Sequence, residues 1–239
     1  MDLDFNRTAI RQKSSNELVN AVVDTSIAAS LAGAAPRGYL GASSLGDDCM
    51  RKIQWMWTRS KPPEPRTERI FARGRWFETY YRQLMHDAGF RMISSGDRIG
   101  FSQLDGKFKG HADGVILSGP DELSYPCLWE CKGLGAKGWK KLVTDGLAAA
   151  YPTYANQVAL YQAYLDLTEH PALFTAANMD TMEVVHLLVP FDPRRAQMAS
   201  DKALAIVLAE EAGETMPRHT NDPNHFACRW CQFREECWA

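Results

Sequence analysis

The amino-acid sequence predicts an α/β fold, a mixed central β-sheet flanked by helices on both sides, and three observations predict it. Apolar residues recur at helical spacing near the N-terminus and again after a proline-rich break. From about Asp97 to Lys132 the pattern turns to short segments, RIGFSQ, KGHADGVIL and CLWECK, separated by Gly, Pro and Ser. Helical stretches then return around one later strand, an order that suits a mixed sheet better than an alternating doubly wound one. With 239 residues and 45% hydrophobic composition, the chain is long enough to bury a full core.

Taken in order, Ser14 with Glu17 has the capping-box pattern, and Leu18, Val22, Val23, Ile27 and Leu31 continue a helix until Gly33. Residues 1–38 therefore read as a helical arm. After Lys61-Pro62-Pro63-Glu64-Pro65, Thr67 is placed to cap a long helix with the stripe Ile70, Gly74, Phe77, Tyr81, Leu84 and Ala88, closed by Gly89. Glu78 sits beside that stripe. The short segments read as a hairpin or meander. Helices follow from Trp139 to Leu147 and from Pro152 to Leu167, then a strand from Glu183 to Val189. Asp192-Pro193 supplies a cap and a first-turn proline for a helix ending at Gly213. With no repeat and no composition shift, 39–239 read as a single domain whose tail, 213–239, is rich in Cys.

Charge and hydropathy exclude several function classes. The formal charge is -2, from 27 Lys and Arg against 29 Asp and Glu, so nucleic acid must be met by a local patch rather than a global field. No run of eighteen apolar residues exists and the opening MDLDFNRTAIRQK lacks an apolar signal core, which predicts a cytoplasmic protein with no membrane association. In such a compartment six Cys are metal ligands or buried thiols rather than disulfides.

The chemistry centres on two strand segments. Alternate strand residues share a face, so Glu130 and Lys132 point together while Trp129 and Cys131 point the other way. If the strand of Asp113 pairs with this one, two carboxylates meet and offer hard oxygen ligands for Mg²⁺ or Mn²⁺. A metal that polarises a phosphodiester and a nearby ammonium are the parts its hydrolysis needs. The bland alternative is a solvated Glu-x-Lys charge pair on a strand surface.

With Asp113, Glu130 and Lys132 in this order, and Gln157-Val158-Ala159-Leu160-Tyr161 following, the chain resembles the PD-(D/E)XK nuclease superfamily. Specifically it resembles the RecB-like branch that carries a cysteine-ligated iron–sulfur cluster, as in certain CRISPR-associated exonucleases. The resemblance implies a restriction-endonuclease-like core in which Asp113 and Glu130 hold Mg²⁺ or Mn²⁺, with the Cys131 carbonyl as a further ligand. It implies that Lys132 positions the attacking water, and that Gln157 and Tyr161, four apart on one helix face, orient the lysine or the scissile strand. Gly74-Arg75-Trp76-Phe77-Glu78 resembles a Gly-x-x-x-His/Glu motif whose last residue completes the metal shell; here it is Glu78. Ala112 stands where the superfamily's proline would, and His111 beside it is a second candidate ligand.

The tail holds Cys228, Cys231 and Cys237 in a C-x₂-C-x₅-C run, and three thiolates need a fourth. Cys49 resembles the lone upstream ligand of the iron–sulfur branch. Four thiolates hold either a [4Fe–4S] cluster or structural Zn²⁺, which ligand softness does not separate; the resemblance implies iron–sulfur. Such a site would join the N- and C-terminal segments. Cys127 and Cys131 read as buried thiols.

Eight Lys or Arg between Arg51 and Arg75, including Arg73 and Arg75, stand against Glu64 and Glu68. Lys137, Trp139, Lys140 and Tyr154 flank the Glu-x-Lys strand, a mixture of cations and rings that suits single-stranded DNA. The reading is a metal-dependent DNA nuclease, an exonuclease on single strands or frayed ends, in recombination, repair or spacer-type processing, with a DNA-processing protein as a further partner. The rivals are a catalytically silent DNA-binding subunit of the same fold and a zinc-stabilised interaction protein.

Overall fold

The computed structural model describes residues 8–33, 37–59, 62–94 and 99–239. Lys61 of the proline-rich break and Asp97 at the start of the strand region lie outside them. The chain divides into two compact units, one drawn from Met1–Pro36 and Lys61–Arg75, the other from Arg37–Ser60 and Trp76–Ala239. The first unit holds α1 (Thr8–Ala32), which begins ahead of the capping-box pair, so Ser14 lies inside the helix. Its Leu18, Val22 and Val23 are exposed, and its Asp24 pairs with Arg69.

The second unit opens with β1 (Leu40–Gly41), a single 3₁₀ turn and α2 (Met50–Thr58). Next comes α3 (Pro65–Asp87), whose first eleven residues belong to the first unit. It starts on Pro65 rather than behind Thr67, because proline suits the first helical position, and it ends at Gly89, whose φ is +92°. Phe77 and Met85 are its buried residues, while Ile70 and Leu84 of the expected stripe are exposed.

Strands β2 (Arg91–Ser94), β3 (Gly100–Gln103), β4 (Phe108–His111), β5 (Gly114–Ser118) and β6 (Cys127–Leu134) follow. They do not form one meander. β3 and β4 make a hairpin that β1 joins in parallel, order β1-β4-β3, whereas β2, β5 and β6 enter a five-stranded sheet. That sheet is completed by β7 (Ala172–Asn178) and β8 (Val184–Val189) in the order β2-β5-β6-β7-β8. Only β6 and β7 are parallel, and parallel neighbours need a crossover connection. Here α4 (Ala136–Asp145), α5 (Leu147–Ala150) and α6 (Pro152–Tyr164) supply it, which lays α6 against β6.

After β8, α7 (Pro193–Glu211) packs on α6, and two short helices, α8 (Phe226–Arg229) and α9 (Arg234–Trp238), close the chain. The predicted cap of α7 is made: Asp192 Oδ1 accepts from the Arg195 N–H at 2.9 Å. Asp192→Ala should cost about 1 kcal/mol, read as a lower urea midpoint with unchanged slope.

Candidate active site

Period-two alternation in β6 sets Glu130 and Lys132 on one face. On the other face, Trp129 and Cys131 enter a core cluster with Phe77, Ile116 and Cys127. Gly114 pairs with Trp129, so Asp113, one residue earlier, comes level with the acid and the lysine. Its Oδ2 accepts from the Cys131 N–H at 2.8 Å and from Lys132 Nζ at 3.3 Å. The same ammonium donates to Glu130 Oε1 and, at 3.1 Å, to the Cys131 carbonyl. One cation thus stands where two carboxylates and a carbonyl converge, and the three oxygens are those assigned to a metal from sequence.

α6 completes the arrangement. Gln157 Nε2 donates to Glu130 Oε1 at 2.6 Å and to Tyr161 Oη at 3.2 Å. Gly110 of β4 leaves room for the Tyr161 ring, which any side chain there would strike. The Tyr154 ring centre lies 5.7 Å from Lys132 Nζ, and Tyr151 stacks on it from outside. This is no solvated pair, since Glu130 is 0% exposed.

Burial drives the Glu130 carboxyl up to about 8, with Asp113 adding to the rise and Lys132 opposing it. Burial also pulls on Lys132, but the Glu130 and Asp113 carboxylates hold its ammonium well above the ordinary range. Glu78, on α3, is raised to about 6 by burial and by Asp113, against Arg82 and Lys132. It therefore shares the field of the site. Arg82 donates to it at 3.4 Å; the i,i+4 spacing of Glu78 and Arg82 was the sequence signal for that partner. His111 lies elsewhere, edge-on to Tyr39 with ring centres 6.3 Å apart.

Among the described residues no three His, Cys, Asp or Glu are spaced to hold a metal ion. At the carboxylates the Lys132 ammonium bonds to Glu130 Oε1, Asp113 Oδ2 and the Cys131 carbonyl. Glu130 Oε2 remains buried without a hydrogen-bond partner. The two oxygens of Glu130, the Asp113 carboxylate and the Cys131 carbonyl form a donor set that fits Mg²⁺ or Mn²⁺.

The outer residues are placed as follows. Lys137 and Lys140 are exposed on α4, and Trp139 packs against the core. Arg73 and Arg75 lie on the part of α3 in the first unit, Arg75 paired with Glu68. Lys52 pairs with Asp47 at 2.5 Å and Arg59 with Glu236, so part of the positive run is met inside the fold.

Cys49, Cys228, Cys231 and Cys237 line one pocket together with Arg51, Lys52 and Arg218. Cys49 caps α2, and the tail is pinned to that helix by Trp55 against Phe233, ring centres 5.6 Å apart. Gln54 accepts from the Met216 N–H at 2.8 Å and donates to the Glu214 carbonyl at 2.7 Å. Arg51, which sequence reading took only as part of the basic run, reaches Cys237 Sγ at 3.6 Å. Burial raises the Cys231 thiol, and soft donors with cations around them suit iron–sulfur or zinc. Cys127 and Cys131 are buried, and burial pushes Cys127 up to about 11.

No family model matches the chain, and no curated protein matches it by sequence. Solved structures do. The chain is similar to the crystal structure of SSO0001, with a TM-score of 0.52, 12% identity and coverage of 92% of this chain and 96% of that one. It is similar to an alkaline exonuclease from Laribacter hongkongensis, with a TM-score of 0.51, 17% identity and coverage of 74% and 90%. The same exonuclease in complex with dAMP gives 0.52, 16%, 74% and 90%. The fold, mixed sheets flanked by helices, is thus similar to that of an alkaline exonuclease.

Proposed function

We propose that the protein is a Mg²⁺- or Mn²⁺-dependent DNA nuclease that hydrolyses phosphodiester bonds at single strands or frayed ends. The observation that carries this reading is the convergence of Glu130, Asp113 and the Cys131 carbonyl on one cation, in a fold similar to an exonuclease's. Asp113, Glu130 and the Cys131 carbonyl would hold the metal, with Glu78 rather than His111 beside them, because Glu78 shares their field and His111 faces Tyr39. A bound divalent ion supplies Lewis acidity, polarising the phosphoryl group and acidifying a water. Lys132, freed from the carboxylates, orients the attacking water and offsets charge building on the phosphate. Gln157 fixes Glu130, and Tyr161 fixes Gln157. We assign the cysteine pocket to a [4Fe–4S] cluster.

Incubating purified protein with end-labelled single- and double-stranded DNA and Mn²⁺ tests the reading on one gel; intact DNA throughout would overturn it. A pH dependence follows as well. Glu130 is held up near 8 without a metal, so below that pH a divalent ion must displace its proton. Mn²⁺ affinity, titrated calorimetrically without DNA, should climb up to tenfold per pH unit from about pH 6 and level off above about pH 8. A flat affinity across that range would contradict the burial-driven carboxyl.

A further inference from the structure

The small sheet carries a cation cluster that the site above does not use. β1 is only Leu40 and Gly41, both buried, and Arg37 and Tyr39 stand in the segment just ahead of it, Arg37 exposed and Tyr39 half-buried. Parallel pairing sets Lys109 opposite Gly41. Gly41 has no side chain, and the Arg37 guanidinium lies in the space its Cβ would take. Two cations therefore meet on one ring: Arg37 Cζ lies 5.3 Å and Lys109 Nζ 5.2 Å from the Tyr39 ring centre. Neither has a carboxylate partner among the described residues, in contrast to Lys52, Arg59, Arg69 and Arg75.

The cluster is continuous with the site. From Phe108 to Gly114 buried residues alternate with accessible ones, and the accessible set is Lys109, His111 and Asp113. β4 ends at His111 and β5, in the other sheet, begins at Gly114, so Asp113 follows Lys109 by four residues across that junction, at most about 14 Å of chain, a distance a DNA strand covers within a few nucleotides.

We propose that Arg37 and Lys109, held on Tyr39, form a phosphate-binding subsite for the single strand that leads into the Asp113 site. The assignment of a DNA substrate rests on the nuclease reading; the subsite adds where the strand runs. Unpaired guanidinium and ammonium groups fixed side by side recognise a backbone phosphate whatever the base, so they position the strand without reading sequence. The sequence signals were the short spacings Arg37-x-Tyr39 and Lys109-x-His111-x-Asp113, which come together only through the β1–β4 pairing.

The test is fluorescence anisotropy of the full chain with a labelled oligothymidylate, without divalent metal, across a salt series. Arg37→Ala with Lys109→Ala should weaken binding about tenfold and flatten the salt slope by about one. Gly41→Ala, which displaces the guanidinium without changing charge, should weaken it several-fold, a result that net charge alone does not produce. Thermal melts confirm that the variants fold. Wild-type affinity and slope in the double variant, or no binding by the wild type, would overturn the subsite. Cleavage is scored separately: a wild type that binds through these residues but leaves DNA intact in Mn²⁺ sinks the nuclease reading and keeps the subsite.

Discussion

Lys132→Met should lower DNA cleavage by about a hundredfold or more, while binding of single-stranded DNA stays within a few-fold of wild type. The ammonium is the one cation shared by Glu130, Asp113 and the Cys131 carbonyl, and its work falls on charge that develops during the reaction. Its loss leaves Glu130 buried opposite Asp113. A buried charge stripped of its partner costs several kcal/mol unless it is neutralised, and Glu130, already raised to about 8, neutralises by keeping its proton. The sign follows. A carboxyl raised in the folded state makes that state bind more protons than the unfolded chain, so stability is present at low pH and is lost as pH climbs through the folded value. The variant's melting temperature should go on falling above about pH 8, where the wild type's fall levels off, because without Lys132 the Glu130 carboxyl is raised further.

Glu130→Gln is the companion. It removes the negative charge that Lys132 and a metal both need, and cleavage should drop at least as far as in Lys132→Met. Metal-free stability should change little at neutral pH, because the carboxyl raised to about 8 is largely neutral there and glutamine keeps the oxygen that accepts from Lys132 and Gln157. Cleavage within tenfold of wild type in both variants would dismiss this site as the seat of the chemistry.

Legibility tracked how local the physics is. Period two in β6 needs no knowledge of the rest of the fold, and it set Glu130 and Lys132 on one face; the Asp192 cap is as local and was as readable. β7 was invisible for the opposite reason. All seven of its residues, ALFTAAN, are buried, and a strand covered on both faces shows no alternation to find. β1 is two residues long and exists through its pairing with β4. α2 lacks a side-chain cap at Cys49, so nothing announced its start. The three strand segments were recognised and read as a hairpin or meander, and only β3 and β4 make the hairpin, because which sheet a strand joins depends on partners far away in sequence. The same nonlocality hid Arg37, Tyr39 and Lys109, and it set His111 against Tyr39 and brought Glu78 into the field of Asp113.

With the proposed cluster in the pocket, Cys49→Ala, Cys228→Ala, Cys231→Ala and Cys237→Ala should each remove it and cost several kcal/mol, because structural thiolate–metal sites supply on the order of 10 kcal/mol to folding. The four thiols come from α2 and from a tail nearly the whole chain away, and they line one pocket. Without a metal the tail is held to α2 by Trp55 on Phe233, by Gln54 and by Arg51. Those contacts bring the thiols together but not to ligation spacing, so the metal has the last closing step to stabilise. Anaerobically purified wild type should be brown with broad absorption near ~400 nm, the signature of sulfur-to-iron charge transfer in a cluster. Each of the four variants should lose that absorption together with melting temperature. Cys127→Ala should keep both, since that thiol lies in the sheet core beside Trp129. A colourless wild type with one tightly bound zinc would replace iron–sulfur with a structural zinc site. Full metal content in Cys49→Ala would remove Cys49 from the ligand set, and the pinning of the tail on α2 would then be the work of the Trp55–Phe233 contact and the Gln54 and Arg51 hydrogen bonds.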